Sequence, residues 1–114
     1  MHATFIELAA FQRFRTNYLD DDAYKELQQD MMRDPEAGAV IRDTGGLRKL
    51  RFADARRGKG KRGGLRVIYY WKGADDQFWL FTLYDKDEAT DLSPDQRALL
   101  KKRLLHEIEA RSTP

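Results

Sequence analysis

The sequence predicts an α+β fold in a single domain of residues 1–114, a length close to the commonest domain size. A short segment of strand-like alternation is followed by two segments whose apolar residues recur at helical spacing. Three β-patterned segments then come in succession, and a leucine-rich segment closes the chain. Helices and strands that are grouped in this way, rather than alternating, are typical of α+β architecture.

The first half of the chain contains one predicted strand and two predicted helices. The strand covers residues 2–7, where apolar and polar side chains alternate. Apolar residues then recur every three or four positions from Leu8 to Tyr18, which predicts the first helix. The second helix begins at the acidic run 20–22, where the carboxylate of Asp20 or Asp21 can accept from the unpaired amides of the first turn as the N-cap. It ends before Pro35, because a residue that precedes proline is pushed out of the helical region.

Three strands are predicted in the second half of the chain. LRKLRF at 47–52 alternates between apolar residues and cations in an imperfect register, which predicts a strand with one side towards the core and the other side cationic. LRVIYYW at 65–71 is a β-branched and aromatic run that is too short for a typical helix, and FWLFTLY at 78–84 has the same character. The turn KGADDQ joins the last two segments into a hairpin, and the three strands form an antiparallel meander.

The final helix is predicted from SPDQ at 93–96, where serine is the N-cap, proline takes the first helical position and glutamine takes the capping-box position. Ser93 is therefore better explained as a cap than as a nucleophile. A stripe of apolar residues continues from Leu99 to Ile108. We expect the first two helices to cover one face of the sheet and to leave the opposite, cationic face open.

Composition excludes several classes of protein. The chain has no cysteine, which excludes a disulfide scaffold, a thiol nucleophile and a cysteine-based zinc site. No apolar run approaches the about 18 residues of a membrane span, and the N-terminus lacks the basic start of a signal peptide. We therefore expect a cytoplasmic protein with no membrane partner. His2 and His106 lack metal-ligand spacing, so neither a metal site nor a cofactor is expected.

Positive charge is concentrated in residues 42–72. This segment holds eleven Lys or Arg residues and two Asp residues, a net charge of +9. Because the whole chain carries +2, the remaining residues sum to −7. Such a field suits a polyanion, and nucleic acid is the natural candidate. A run of cations is also typical of a solvated loop, but the flanking strands favour nucleic acid.

Four segments taken together resemble the HigB branch of the RelE toxin superfamily. They are LRKLRF, GKGKRGGLRVIYYW, FWLFTLYDKDEATDLS and the closing leucine-rich helix. The resemblance implies a RelE-like fold and the toxin of a type II toxin–antitoxin module, which cleaves translated mRNA in the ribosomal A site. The implied partners are the ribosome, mRNA and a HigA-type helix-turn-helix antitoxin, and DNA would be reached only through that antitoxin.

RNA cleavage without a metal requires a base for the ribose 2′-OH, cations for the charge on the phosphorane and an acid for the leaving 5′ oxygen. The resemblance implies that Arg66 contacts the scissile phosphate, while Lys49 and Arg51 border the 2′-OH and the phosphate. The strand period of two places Lys49 and Arg51 on one face. Lys49 can supply a neutral amine as the base, and Lys86 or Arg51 can serve as the acid. An interstrand ion pair is the alternative explanation for Arg66.

The remaining candidates bind RNA or the ribosome. They are Arg48, Arg56, Arg57, Lys59, Lys61, Arg62 and Tyr84. The cations between 56 and 62 are interleaved with glycines, so this loop can follow a phosphate backbone with an affinity that falls steeply with salt. These contacts carry no base specificity in themselves.

Two positions depart from the pattern of many RelE-type proteins. Lys86 matches a lysine that those proteins have at the rim of the cleft. They have an arginine next to this lysine, where this chain has Asp87. A few residues on they have a tyrosine that stacks the substrate base, where this chain has Ser93. Tyr84, Tyr70 or Trp71 can replace the missing tyrosine, although Trp71 is better explained as a core residue.

Two other functions would use the same basic face: a noncatalytic module that binds nucleic acid, and a docking surface for an antitoxin in a chain without nuclease activity. The acidic residues after the last strand are expected to form a solvated turn, and ion pairs with the basic cleft are the alternative. They are Asp85, Asp87, Glu88 and Asp91.

Overall fold

The computed structural model describes residues 2–53, 58, 60, 64–87 and 91–112. Within these residues the helices are α1 (Ala9–Tyr18), α2 (Asp21–Arg33) and α3 (Pro94–Ser112). The strands are β1 (Thr4–Glu7), β2 (Ala39–Val40), β3 (Arg48–Phe52), β4 (Leu65–Lys72) and β5 (Gln77–Asp85). The order of helices and strands confirms the predicted α+β fold class.

The five strands form one sheet in the order β1-β5-β4-β3-β2. The strands β3, β4 and β5 are the predicted antiparallel meander, and β1 pairs with β5 in the parallel direction. The sequence did not predict β2, an edge strand antiparallel to β3, because two residues carry no measurable periodicity.

Helix α2 and helix α3 begin at the predicted caps. Asp20 accepts a hydrogen bond from the backbone N of Ala23 at 2.8 Å. Before α3, the backbone N of Ser93 donates to Oε1 of Gln96 at 2.8 Å, and the backbone N of Gln96 donates to Oγ of Ser93 at 3.1 Å. This reciprocal pair is a capping box, and it fixes where the last helix starts.

Helices α1 and α2 cover one face of the sheet, as predicted. Phe11 of α1 and the α2 residues Leu27 and Met31 are buried in one apolar cluster with Val67 and Leu80 of the central strands. The odd-numbered positions of β4 therefore face these two helices.

Helix α3 covers part of the opposite face, so the prediction of an open face is wrong. Leu104 of α3 is fully buried in a second cluster with Leu47, Ile68, Trp79 and Phe81. The β4 side chains are largely apolar on both faces of the sheet, which is typical of a strand buried on two sides. Because full burial of a leucine contributes about 1.5–3 kcal/mol, α3 stabilises the fold by covering this patch.

Helix α3 has 19 residues and carries charged side chains along its whole length. No helix within the described ranges is long and apolar enough to span a lipid bilayer.

Candidate nucleic-acid interface

Strand pairing brings the predicted cations of β3 and β4 together. Arg51 lies opposite Arg66, and Lys49 lies opposite Ile68. Directly paired residues point to the same face of a sheet, and Ile68 belongs to the cluster under α3. Lys49, Arg51 and Arg66 therefore share the α3 side of the sheet.

This alignment continues onto β5, where Tyr84 is the partner of Arg66. Arg51, Arg66 and Tyr84 thus form a line across three neighbouring strands, which we call the cross-strand row. Directly opposed side chains in antiparallel strands have Cβ atoms about 4.5–5.5 Å apart, so each member of the row is within reach of the next.

Exposure decreases along the row from the edge towards the centre of the sheet. The side chain of Arg51 is exposed, and that of Lys49 in the adjacent pair is half-buried. Arg66 is only 6% exposed, and its Nη1 donates to the carbonyl oxygen of Leu65 at 3.2 Å. The site therefore combines an accessible cation at its rim with a covered cation at its centre.

Lys86 lies immediately beyond β5. Its backbone N donates to the carbonyl oxygen of Gly64 at 3.2 Å, which extends the pairing of β4 and β5 by one position. The structure thus brings Lys86 to the end of the sheet that holds the cross-strand row.

Tyr84 is half-buried, and its ring packs against the apolar cluster under α3. Its hydroxyl is buried and forms no hydrogen bond with any described residue. Burial raises the pKa of Tyr84 above its ordinary value, the charge of Arg66 opposes this rise, and the charge of Asp91 adds to it. The hydroxyl is therefore protonated at neutral pH and can donate a hydrogen bond.

Arg48 does not join this surface. Its partner across the strands is Tyr69, which is buried under α1 and α2. Nη1 of Arg48 donates to the carbonyl oxygens of Glu36 at 3.0 Å and Gly38 at 2.8 Å, and Nη2 lies 3.6 Å from Oε2 of Glu36. Strand alternation therefore turns Arg48 away from the row, and its contacts hold the segment after α2 against β3. Its predicted role in RNA binding stays a prediction.

Five of the predicted binding residues lie outside the described residues. They are Arg56, Arg57, Lys59, Lys61 and Arg62. The last pair of β3 and β4 is Phe52 with Leu65, directly beside the row. The chain between these strands therefore leaves from, and returns to, the end of the sheet that carries Arg51 and Arg66.

The other aromatic candidates are half-buried and pack against the two core clusters. Trp71 packs on Phe78 of the first cluster, with ring centroids 4.4 Å apart. Tyr70 lies on the α3 side of the sheet and packs against the second cluster. Its ring centroid is 5.2 Å from that of Trp79.

The acidic turn after β5 differs from its prediction at Asp85. This residue has no exposed surface, and its Oδ1 accepts from the backbone N of Asp87 at 2.7 Å. The prediction of a solvated side chain is wrong here because Asp85 is still part of β5, where it pairs with Leu65. His2 and His106 are both exposed, and the described residues contain no group of three His, Asp or Glu side chains placed to hold a metal ion.

Two features of the site were missed from the sequence: the burial of Arg66, and the Tyr84 hydroxyl that has no hydrogen-bond partner among the described residues. A signal for the first was available, because Arg66 interrupts an otherwise apolar run in the central strand. The second depends on which side chains surround the hydroxyl, and no sequence pattern reports this.

No protein-family model matches the sequence. Among solved structures, the fold is similar to that of the E. coli toxin RelE, in a doubly substituted mutant in the free state, with a TM-score of 0.50. The two chains are 13% identical, and the match covers 79% of this chain and 90% of that chain. This similarity confirms the predicted RelE-like fold.

Proposed function

We propose that this protein is the toxin of a type II toxin–antitoxin pair, of the HigB branch of the RelE superfamily, and that residues 1–114 form its single domain. Its activity is the cleavage of translated mRNA in the ribosomal A site without a metal ion. The RelE-like fold and the four resembling segments support the class. The observation that carries the proposal is the alignment of Lys49, Arg51 and Arg66 on one face of the sheet.

In the proposed reaction, the ribose 2′ oxygen attacks the adjacent phosphorus and the 5′ oxygen leaves. Lys49 acts as the base that takes the proton of the 2′-OH, and Arg51 or Lys86 gives a proton to the 5′ oxygen. Arg66 stabilises the charge that develops on the phosphorane. The products are a 2′,3′-cyclic phosphate, or the 3′-phosphate formed from it, and a 5′-OH.

The cations of the loop at 56–62 supply affinity for the ribosome rather than chemistry. Each phosphate that they neutralise adds about 0.7–0.9 to the negative slope of log affinity against log salt. We propose a HigA-type helix-turn-helix antitoxin as the protein partner, and contact with DNA only through that antitoxin.

Primer extension on mRNA from cells that express the chain tests the proposal. New ends should cluster inside reading frames and disappear when translation initiation is blocked. Arg66→Ala should abolish cleavage and toxicity but largely retain ribosome association, because one of many binding charges is lost together with the main phosphorane stabiliser. Arg66→Lys is the second variant for this test. It keeps the positive charge at the buried position and is used if Arg66→Ala does not fold.

A matched control is Arg33→Ala, which removes the same charge from the exposed end of α2, where Arg33 pairs with Asp30 at 3.1 Å. This variant should cleave like the wild type. Equal cleavage of untranslated RNA would contradict ribosome dependence. A parallel loss of binding and growth inhibition in Arg66→Ala would favour a noncatalytic nucleic-acid-binding module. A chain that binds the antitoxin encoded beside it and neither cleaves RNA nor inhibits growth would favour a docking surface.

A further inference from the structure

The hydroxyl of Tyr84 is a buried donor without an acceptor among the described residues. Tyr69, the neighbouring core tyrosine on β4, shows the usual alternative. Its hydroxyl donates to the carbonyl oxygen of Pro35 at 2.8 Å and accepts from the backbone N of Gly38 at 3.0 Å. A buried hydroxyl without a partner costs folding free energy, and phenylalanine would fill the same space without that cost.

The Tyr84 hydroxyl lies on the strand position next to a buried cation. Tyr84 lies directly opposite Arg66 on the α3 side of the sheet. Arg66 has only donor groups, so it cannot accept the hydrogen of the Tyr84 hydroxyl. The hydroxyl oxygen of Tyr84 can accept a hydrogen bond, but it forms none with any described residue. The O–H of Tyr84 and the guanidinium of Arg66 can both donate to one acceptor that offers several lone pairs, such as a phosphate.

The ring of Tyr84 is already occupied in packing. It lies against the apolar cluster beneath α3, whose buried members include Trp79 and Phe81. A ring held in this way is poorly placed to stack on an RNA base, which needs an exposed aromatic face. Burial also keeps the hydroxyl protonated at neutral pH, so it acts as a donor and not as a base.

We propose that the Tyr84 hydroxyl donates a hydrogen bond to a nonbridging oxygen of the scissile phosphate that Arg66 binds, and so stabilises the phosphorane. This inference rests on the proposed function. It assigns Tyr84 a catalytic role through its hydroxyl, in place of the expected role in base stacking. Arg66 is itself only 6% exposed and is the cross-strand partner of Tyr84, so a phosphate bound by Arg66 lies beside Tyr84.

The test compares Tyr84→Phe with Tyr69→Phe, since each removes one hydroxyl and retains the ring. The single-turnover cleavage rate on a preformed ribosome complex and the free energy of unfolding are measured for both. For Tyr84→Phe we expect a rate about 100-fold lower, unchanged ribosome affinity, and stability equal to or above that of the wild type. For Tyr69→Phe we expect lower stability and a wild-type rate.

The outcomes separate this inference from the proposed function. If Tyr84→Phe cleaves at the wild-type rate while Tyr84→Leu does not, the ring acts and the hydroxyl role is overturned. If Tyr84→Phe loses stability along with its rate, the hydroxyl is structural and the inference is equally overturned. Failure of the wild-type chain to cleave ribosome-bound mRNA at all would instead contradict the proposed function, and Arg66→Lys serves as its independent check.

Discussion

Arg51 and Arg66 lie directly opposite each other on β3 and β4, two guanidinium side chains on one face of the sheet. Like charges in directly opposed positions destabilise a sheet, and the size of the effect is about 0.2–1 kcal/mol. Neither position requires a cation for strand formation, because β-branched and aromatic residues favour strands more strongly. Under the proposed function, the pair serves the scissile phosphate, an anion that interacts with both charges.

Removal of the rim charge should therefore separate stability from activity. Arg51→Gln keeps most of the side-chain stem and removes the charge opposite Arg66. We expect the free energy of unfolding to rise by about 0.2–1 kcal/mol and the cleavage rate to fall. Urea unfolding at low and high salt measures the first effect, which should shrink as salt screens the repulsion.

Arg42→Gln is the control for the Arg51 variant. Arg42 is exposed in the loop before β3, so the substitution changes net charge equally without relieving the cross-strand contact. An equal gain of stability in both variants would mean that net charge, rather than the opposed pair, limits stability.

Arg48, three positions before Arg51, should show the opposite behaviour. Its guanidinium holds two carbonyl oxygens and the carboxylate of Glu36. Arg48→Gln should lower the free energy of unfolding by about 1–3 kcal/mol, because these carbonyls lose charged hydrogen bonds. Ribosome affinity of the folded variant should match that of Arg42→Gln. A larger loss of affinity in a fully folded Arg48→Gln would place this residue in the binding surface.

The sequence predicted only part of the difference between Arg48 and Arg51. Strand alternation in LRKLRF correctly placed Lys49 and Arg51 on one face, and the same rule sends Arg48 to the other face. The sequence could not reveal what Arg48 contacts there, because its partners follow α2 and lie ten or more positions earlier in the chain.

The capping box and the meander were also predicted, since both depend on local residue types. The placement of α3 was not predicted, because an apolar stripe indicates that a helix is buried but not against which surface it packs. The apolar residues of β4 at even positions, such as Ile68 and Tyr70, provided that surface. Long-range packing of this kind is decided by the whole fold, and it also sets the burial of Arg66 and Tyr84.

Ser93 offers a test of the distinction between a cap and a catalytic group. Ser93→Ala removes the acceptor of the Gln96 backbone N and should lower the free energy of unfolding by about 1 kcal/mol. Ser93→Gly should cost only a few tenths of that amount. Both variants should cleave at the wild-type rate under conditions where they are folded. Loss of cleavage in a folded Ser93→Ala variant would contradict the role of a cap alone.

Tyr24 on α2 should make stability fall at alkaline pH. Burial raises its pKa from 10.0 to about 12, and the nearby charge of Glu7 adds to the rise. The protonated hydroxyl is the form that the fold favours, so its contribution is fully present below the unfolded pKa of about 10. It is lost as pH rises towards the folded pKa of about 12, because the unfolded chain releases its proton first.

Tyr24→Phe removes the titrating hydroxyl and keeps the ring. The ring centroid lies 5.7 Å from that of Phe11 and 4.8 Å from the Cζ of Arg15. Urea unfolding of both proteins between about pH 8 and pH 12 gives the measurement. The difference in unfolding free energy should be constant at first, and the wild type should then lose stability relative to Tyr24→Phe as pH passes about 10. The other lysines and tyrosines titrate in both proteins, so their effects cancel in this difference. A difference that stays constant up to pH 12 would show that Tyr24 ionises equally in the folded and unfolded chains.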